Sequence, residues 1–598
     1  MFSIFVNQSL FLIFFLLCSY ILGKSILKNF CFFSKVEDFA FAIVTGWAIL
    51  ALLMMLLGFW GLFRPVILFT TFAVIFIASL LSIVLDKGVE FCRPALLLRN
   101  PIDNGLTLSV FVFIILYFIL LFYISLYPIT EWDAIMYHLP VAKEFVFQGR
   151  IVPMPFIRFP VGPQLTELFF SLALFFNNPL LADAIQFAIT ILLVLLIYSF
   201  SQRYFNKTIG LFSISIFLSS PIVLRFAVIP YAEINSALFC FLAFYSMFIW
   251  ITEKQLNYGL LSAIFWGVAL ASKYYSIPFF FISFFSTAII FKNRLKFSHT
   301  FIFFSLLLLI AFPWYFRNKI YSGDWFFPLR PITGMWYSQD VISHLKYMRS
   351  FGMGRDIASF FMLPINLLFH SDKFQDKIGS FLIIGMGSLF FIKRWSRLIR
   401  LCVIIVISYS VIWFFSSQIL RYMFPIFPIL SLVGGWTLQE VCHSSNLKGQ
   451  WFKKLLIIGL LMLGCFNCIG VIRNNGPMPV TSAQKLEYIS KRIPTFRAIN
   501  FLNNIVQKDE IVYALCDEGS VFYYKNKVIG DWYGFAAYKK VMPYLDKPDI
   551  LHKVLADYGA RYFLIHRNKG MEISRTLFES NLFALLYSDQ EAYVFEIL

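Results

Sequence analysis

The sequence predicts a mainly α, polytopic transmembrane helical bundle of about 14 spans, with extracytoplasmic loops and a small C-terminal α/β domain. Three observations lead there. Of the 598 residues 60% are hydrophobic, 75 are Phe and only 14% are charged, an apolar content far above that of a soluble domain. Apolar runs of spanning length recur from the first ten residues to about residue 472, where ordinary polarity returns. Lys and Arg fall mostly in clusters between those runs rather than along any one face.

The spans are expected at about 4–23, 39–61, 65–85, 106–127, 182–201, 209–225, 232–251, 258–273, 275–291, 299–316, 377–392, 401–417, 422–440 and 454–472. One alternating thread places the basic clusters at Lys24–Lys35, Lys87–Arg99, Arg203–Lys207, Lys254, Lys292–Lys296, Lys393–Arg400 and Lys448–Lys454 on the cytoplasmic side. The net charge of +18 is thus read as topology, not as a nucleic-acid surface. The first run is expected to stay in the protein, because it lacks a basic region before it and its positive charges follow it. Cys465 and Cys468 have metal-like spacing but lie inside "IIGLLMLGCFNCIG", where packing is the simpler role. Cys516 is the only cysteine after residue 473, so no disulfide framework can form in that region.

Three regions result: 1–104, N-terminal transmembrane helices; 105–472, a transmembrane core with outer loops 128–181 and 317–376; and 473–598, an outer α/β domain. In the last, "LHKVLADYGA" reads as a helix, and "EIVYALC", "RYFLIH" and "AYVFEIL" read as strands.

Outer loops ordinarily carry few basic residues, so the exceptions matter. Arg158 in "PFIRFPVGPQLTEL", Arg225, Lys273 in "ALASKYYSIP", Arg317 in "PWYFRNKIYSGDWFFP" and Arg421 in "QILRYMFPIFPIL" all fall near outer helix ends. Each alone reads equally well as an interfacial side chain that snorkels to the headgroups. Together they suggest a pocket for an anion such as a lipid phosphate. Three acids share that side: Glu131 and Asp133 in "YPITEWDAIMYHLPVAKEF", and Glu233 in "PYAEINSALF". Asp133 could merely cap the next helix. With a second outer acid and the cations, the set also suits group transfer from a phosphate, a carboxylate taking a hydroxyl proton while cations stabilise the departing phosphate. Trp132 and Tyr137 are expected at headgroup level, with "HLPVAKEF" as a short helix along the membrane, and Tyr137 and His138 are the candidates for the acceptor side. His138, His344 and His370 are scattered, and no Gly-rich nucleotide loop occurs.

In order and sidedness, "WDAIMYHLPVAKEFVFQGRI", "FPVGPQLTELFFSLALFF", "PYAEINSALFCFLAF", "GVALASKYYSIP", "PWYFRNKIYSGDWFFP" and "QILRYMFPIFPIL" resemble the C-type membrane glycosyltransferases, which include the protein O-mannosyltransferases and lipid A aminoarabinose transferases. The resemblance covers roughly residues 105–475. It implies transfer of a sugar from a polyprenyl-phosphate donor to a lipid, glycan or protein acceptor, outside the membrane. It places the catalytic acid on Asp133, with Glu131 as neighbour and Glu233 as a second acid, and puts Arg421, Arg317 and Lys273 at the donor phosphate; Arg158 joins them by its position in the first outer loop. No cofactor is specified by these residues, and a divalent metal is admitted because the family has both metal-using and metal-free members. The adjacent Asp-Glu pair of the protein mannosyltransferases is here Glu131-Trp132-Asp133, which argues against protein as acceptor, and three apolar spans precede the catalytic loop's helix where many relatives have none. The expected reaction is an inverting displacement with Asp133 as base, in a bacterial inner membrane. Its rivals are a polysaccharide ligase or polymerase and a lipid-linked glycan flippase.

Overall fold

Apolar runs fold as helices because, in hydrocarbon, each backbone N–H and C=O must find its partner within its own segment. A computed structural model of the chain describes residues 2–85, 104–292, 295–330, 336, 338–387, 389, 392, 394–444, 450–567 and 574–598. The cluster Lys87–Arg99 lies outside the described residues, as do Arg294, Lys393 and Lys448. Among the described residues eight helices are long and apolar enough to cross a membrane: Gln8–Ile26, Lys35–Phe59, Pro65–Leu85, Leu180–Tyr204, Glu233–Glu253, Phe297–Ser322, Arg397–Ser416 and Trp451–Asn475.

Every other expected span also contains helix: the span at 106–127 is the unbroken 21-residue helix Asn104–Ile124, and the rest are shorter or broken. The run at 209–225 divides into Lys207–Ser219 and Pro221–Phe226, since Pro221 opens the second helix and cannot continue the first. The run at 422–440 starts as a 3₁₀ stretch, Leu420–Ile426, which holds Pro425, before the helix Phe427–Ser444. Among the described residues, helix length and apolarity alone carry eight of the 14 expected spans.

Helix Glu233–Glu253 is wholly enclosed by its neighbours and orients the bundle. Its 21 residues cover about 30 Å at ~1.5 Å per residue. At its far end Glu253 accepts from Arg203 Nη2 at 2.7 Å, and Arg203 Nη1 donates to buried Glu37 at 2.8 Å. Glu233 stands at the other end, 3.9 Å from Arg421.

The first two helices, Phe2–Ile26 and Lys35–Phe59, form a hairpin whose backbones nearly touch. A Cβ on Gly46 would lie 1.9 Å from the Ser19 carbonyl oxygen, and one on Gly23 would lie 1.7 Å from that of Ala42. Small residues permit this approach, and no rotamer change relieves a backbone clash. Gly46→Leu is expected to cost at least about 1–3 kcal/mol by overpacking, seen as a lowered midpoint of thermal aggregation in detergent.

Residues after 475 fold as a sheet domain. Strands β1 (Ile511–Leu515), β2 (Val528–Ile529), β3 (Ala560–His566), β4 (Phe583–Ser588) and β5 (Ala592–Ile597) stand in the order β2-β1-β3-β5-β4. β1 is parallel to β2 and β3, and β5 is antiparallel to β3 and β4. The helix Pro548–Asp557 precedes β3, its Leu551 and Leu555 packing into the core with Tyr513, Phe563 and Phe595. The chain leaving β1 docks on the first outer loop: Lys143 Nζ donates to the Tyr524 carbonyl at 2.5 Å, and Tyr523 Oη donates to that of Ile129 at 2.5 Å. Burial holds Lys143 down at about 8.

Candidate functional site

Asp133 ends the segment that follows helix Asn104–Ile124, and a single π turn, Ala134–His138, comes next. There the Leu139 N–H reaches back five residues to the Ala134 carbonyl. Wide turns of this kind often mark functional sites, because they re-aim the side chains they carry. Asp133 does not cap that helix with its side chain; its backbone N–H donates to Tyr231 Oη at 2.9 Å. The carboxylate instead accepts from Arg421 Nη1 at 2.5 Å.

Arg421 comes from the 3₁₀ stretch that Pro425 imposes, its guanidinium 5.8 Å from the Tyr231 ring centre and 5.7 Å from that of Tyr422. Its Nε lies 3.9 Å from Glu233 Oε1, too far for a hydrogen bond, so one cation stands between two carboxylates. Glu233 is buried in the first turn of its helix, where the free N–H groups favour a negative charge. Among the described residues its Oε2 has no hydrogen-bond partner, and neither does Arg421 Nε.

Lys273 follows helix Leu256–Ser272 in extended conformation, and its Nζ donates to Tyr137 Oη at 3.3 Å. Tyr137 and His138 stack at 4.1 Å, both buried. His138 Nδ1 is 2.7 Å from Glu167 Oε1. Arg317 is also buried: its Nη2 donates to Gln164 Oε1 at 2.7 Å and to the Val152 carbonyl at 3.2 Å, while Nε and Nη1 have no acceptor among the described residues. Buried polar atoms are almost always satisfied, so this concentration of unused donors and acceptors marks a place built for polar chemistry.

Of the residues singled out from sequence, Asp133, Glu233 and Arg421 come together, as do Lys273, Tyr137 and His138, whereas Arg317 is bonded to Gln164 and the Val152 carbonyl. Glu131 and Arg158 are engaged elsewhere. Glu131 meets Arg225 Nη2 at 3.0 Å, and Arg225 Nη1 meets Asp376 at 2.7 Å. Arg158 forks onto Asp531 of the C-terminal domain, with Nε at 3.1 Å and Nη2 at 2.8 Å. Sequence reasoning did not single out Tyr231, Gln164 or Glu167. Glu167 could have been found as an acid entering an apolar helix, Leu165–Phe175; the other two carry no such signal. Among the described residues no group of three or more His, Cys, Asp or Glu is arranged to hold a metal ion.

Burial raises Asp531 to about 6 against the opposing pull of Arg158. Between about pH 4 and 6 the folded chain therefore holds a proton there that the unfolded chain has lost, and this contribution to stability falls as pH rises through the window. The difference in thermal midpoint between wild type and Asp531→Asn is expected to shrink steadily from pH 4 to 6 and to stay flat above.

Residues 155–316 match a family model described as dolichyl-phosphate-mannose-protein mannosyltransferase. Residues 484–596 match one described as SF2091/S2213. An uncharacterized protein of Shigella flexneri, SF2093/S2215, is 29% identical over 195 residues, which is 32% of this chain and 91% of that protein. Among solved structures the chain is similar to ArnT from Cupriavidus metallidurans. The apo form aligns with a TM-score of 0.54 and 13% identity over 82% of this chain and 97% of ArnT. The form bound to undecaprenyl phosphate aligns with a TM-score of 0.52 and the same identity, over 82% and 98%. At that identity the likeness is one of fold, and it extends over nearly all of ArnT. The mannosyltransferase match runs across the segment that supplies Glu233 and Lys273, and the chain has the fold of the membrane glycosyltransferase ArnT.

Proposed function

We propose that the protein transfers a sugar from a polyprenyl-phosphate donor to an acceptor hydroxyl at the extracytoplasmic face, with inversion at the anomeric carbon. The observation that carries this reading is Arg421 held between Asp133 and Glu233, a carboxylate and a guanidinium in direct contact, with Lys273 bonded to Tyr137 four residues after Asp133. A donor phosphate competes with Asp133 for Arg421. Once the guanidinium turns toward phosphate, an Asp133 oxygen is released to accept the acceptor's proton. The acceptor oxygen then bonds to the anomeric carbon as the bond from that carbon to the phosphate oxygen breaks. The electron pair leaves with the phosphate, whose charge Arg421, Lys273 and Arg317 stabilise. Glu233 keeps Arg421 in place while its first partner changes.

The ionisable groups support an enzyme over a flippase. Glu233 opens its helix, Lys273 follows one and Arg421 precedes one, whereas transporters bind near the middle of their spans. The function is tested with purified protein in nanodiscs, radiolabelled polyprenyl-phosphate sugars and a membrane extract. Label is expected to move to an acceptor from the lipid donor and not from nucleotide sugars; the reverse preference overturns the proposal. Sidedness is tested separately by Arg150→Cys and Lys491→Cys in intact cells, both of which should react with a membrane-impermeant maleimide.

A further inference from the structure

Trp132, beside the proposed base, leaves the bundle and lies against the C-terminal domain with 47% of its surface exposed. Its six-membered ring rests directly on Gly519: a Cβ there would come within 2.5 to 2.8 Å of Cζ3, Cε3 and Cη2. Only glycine admits the indole at that distance. The neighbouring residue Glu518 accepts from Trp532 Nε1 at 3.0 Å and from Tyr538 Oη at 2.8 Å. Trp532 is 44% exposed and follows Asp531, which Arg158 ties to the first outer loop. Two half-open indoles thus flank the Glu518–Gly519 peptide, one from each side of the seam between catalytic loop and C-terminal domain.

This placement is unusual for its physical chemistry. Two large aromatic faces left open against consecutive residues, Glu518 and Gly519, form more than a singly exposed side chain and offer a surface that a flat ligand can cover. The Trp532 indole is fixed by a hydrogen bond and Trp132 by packing, so neither face must be ordered when something stacks on it. The seam also lies where the chain leaves the parallel strands β1 and β2 at their carboxyl ends, the edge at which α/β sheets present ligands. Flat apolar faces rimmed by carboxylates and an arginine match a sugar ring, which offers C–H groups on its faces and hydroxyls around its edge. An extended peptide would instead seek an open strand edge, and a lipid chain a path within the bundle.

Resting on the transferase reading above, we infer that the acceptor is a glycan, whose sugar units next to the reacting hydroxyl stack on Trp132 and Trp532 across this seam. The reacting hydroxyl then reaches Asp133, one residue from Trp132.

The test uses the full-length protein in nanodiscs, labelled polyprenyl-phosphate sugars and, offered in parallel, the protein fraction, the lipid fraction and the polysaccharide fraction of the host's cell envelope, the last protease-digested and stripped of lipid. Wild type should label the polysaccharide fraction. Trp532→Ala should raise the acceptor concentration for half-maximal transfer by about tenfold, the scale of one lost aromatic contact, with donor half-saturation unchanged. Trp532→Phe should restore acceptor use to within about threefold, which a role in folding alone would not separate from donor binding. Label entering only polypeptide or sugar-free lipid overturns the glycan assignment and leaves the transferase reading standing. An unchanged acceptor dependence in Trp532→Ala does the same. Failure of wild type to consume the donor with any extract fraction overturns both.

Discussion

Asp133→Asn is expected to lower turnover by about 10²–10⁴ while the protein still inserts and folds. Asparagine keeps the shape of the side chain and the backbone N–H bond to Tyr231, but it cannot take a proton from the acceptor. It also frees Arg421 from its closest partner, so donor binding should hold or tighten. The expected signature is a fall in kcat with an unchanged or smaller donor KM, the pattern of an interaction made only in the transition state. Steady-state assays in nanodiscs with a donor titration read both numbers. A loss confined to KM would move the base role to Glu233.

Arg421→Ala removes the cation between two carboxylates. Breaking a buried pair by deleting one partner typically costs about 3–5 kcal/mol, because the other charge is left without compensation. Two such charges remain here, so a lowered thermal midpoint should accompany the loss of donor saturation. Arg421→Lys should restore little. Nη1 serves Asp133 while Nε faces Glu233, and a single ammonium cannot hold that forked arrangement. Titration with the lipid donor separates the effects: a variant of normal donor affinity but poor stability would show Arg421 to be structural.

What sequence made legible was whatever depends on local pattern. The apolar runs became helices, the strands around "EIVYALC", "RYFLIH" and "AYVFEIL" formed, and Asp133 and Glu233 fell at helix starts. What it could not supply was which side chains would meet. Asp133 and Arg421 are 288 residues apart, and nothing near either one predicts that they share a bond. Arg158 has the same local appearance as Arg421, yet Asp531, 373 residues away, claims it and makes it a strut between loop and domain. Glu131 is likewise taken by Arg225. The departures in helix geometry have local causes that were visible but underweighted, Pro221 and Pro425 dividing runs that hydropathy alone would leave whole. Short β2, of two residues, and β4, whose outer face is largely open, offered no period to read.

The central claim is that Arg421 binds the donor phosphate and Asp133 performs the transfer. A rapid-quench single-turnover experiment tests it most directly, with labelled polyprenyl-phosphate sugar bound first and acceptor extract added second. Wild type should transfer the bound label in one burst, Asp133→Asn should hold the donor intact, and Arg421→Ala should retain no donor to chase. A burst from Asp133→Asn at the wild-type rate, or full donor retention by Arg421→Ala, would contradict the account.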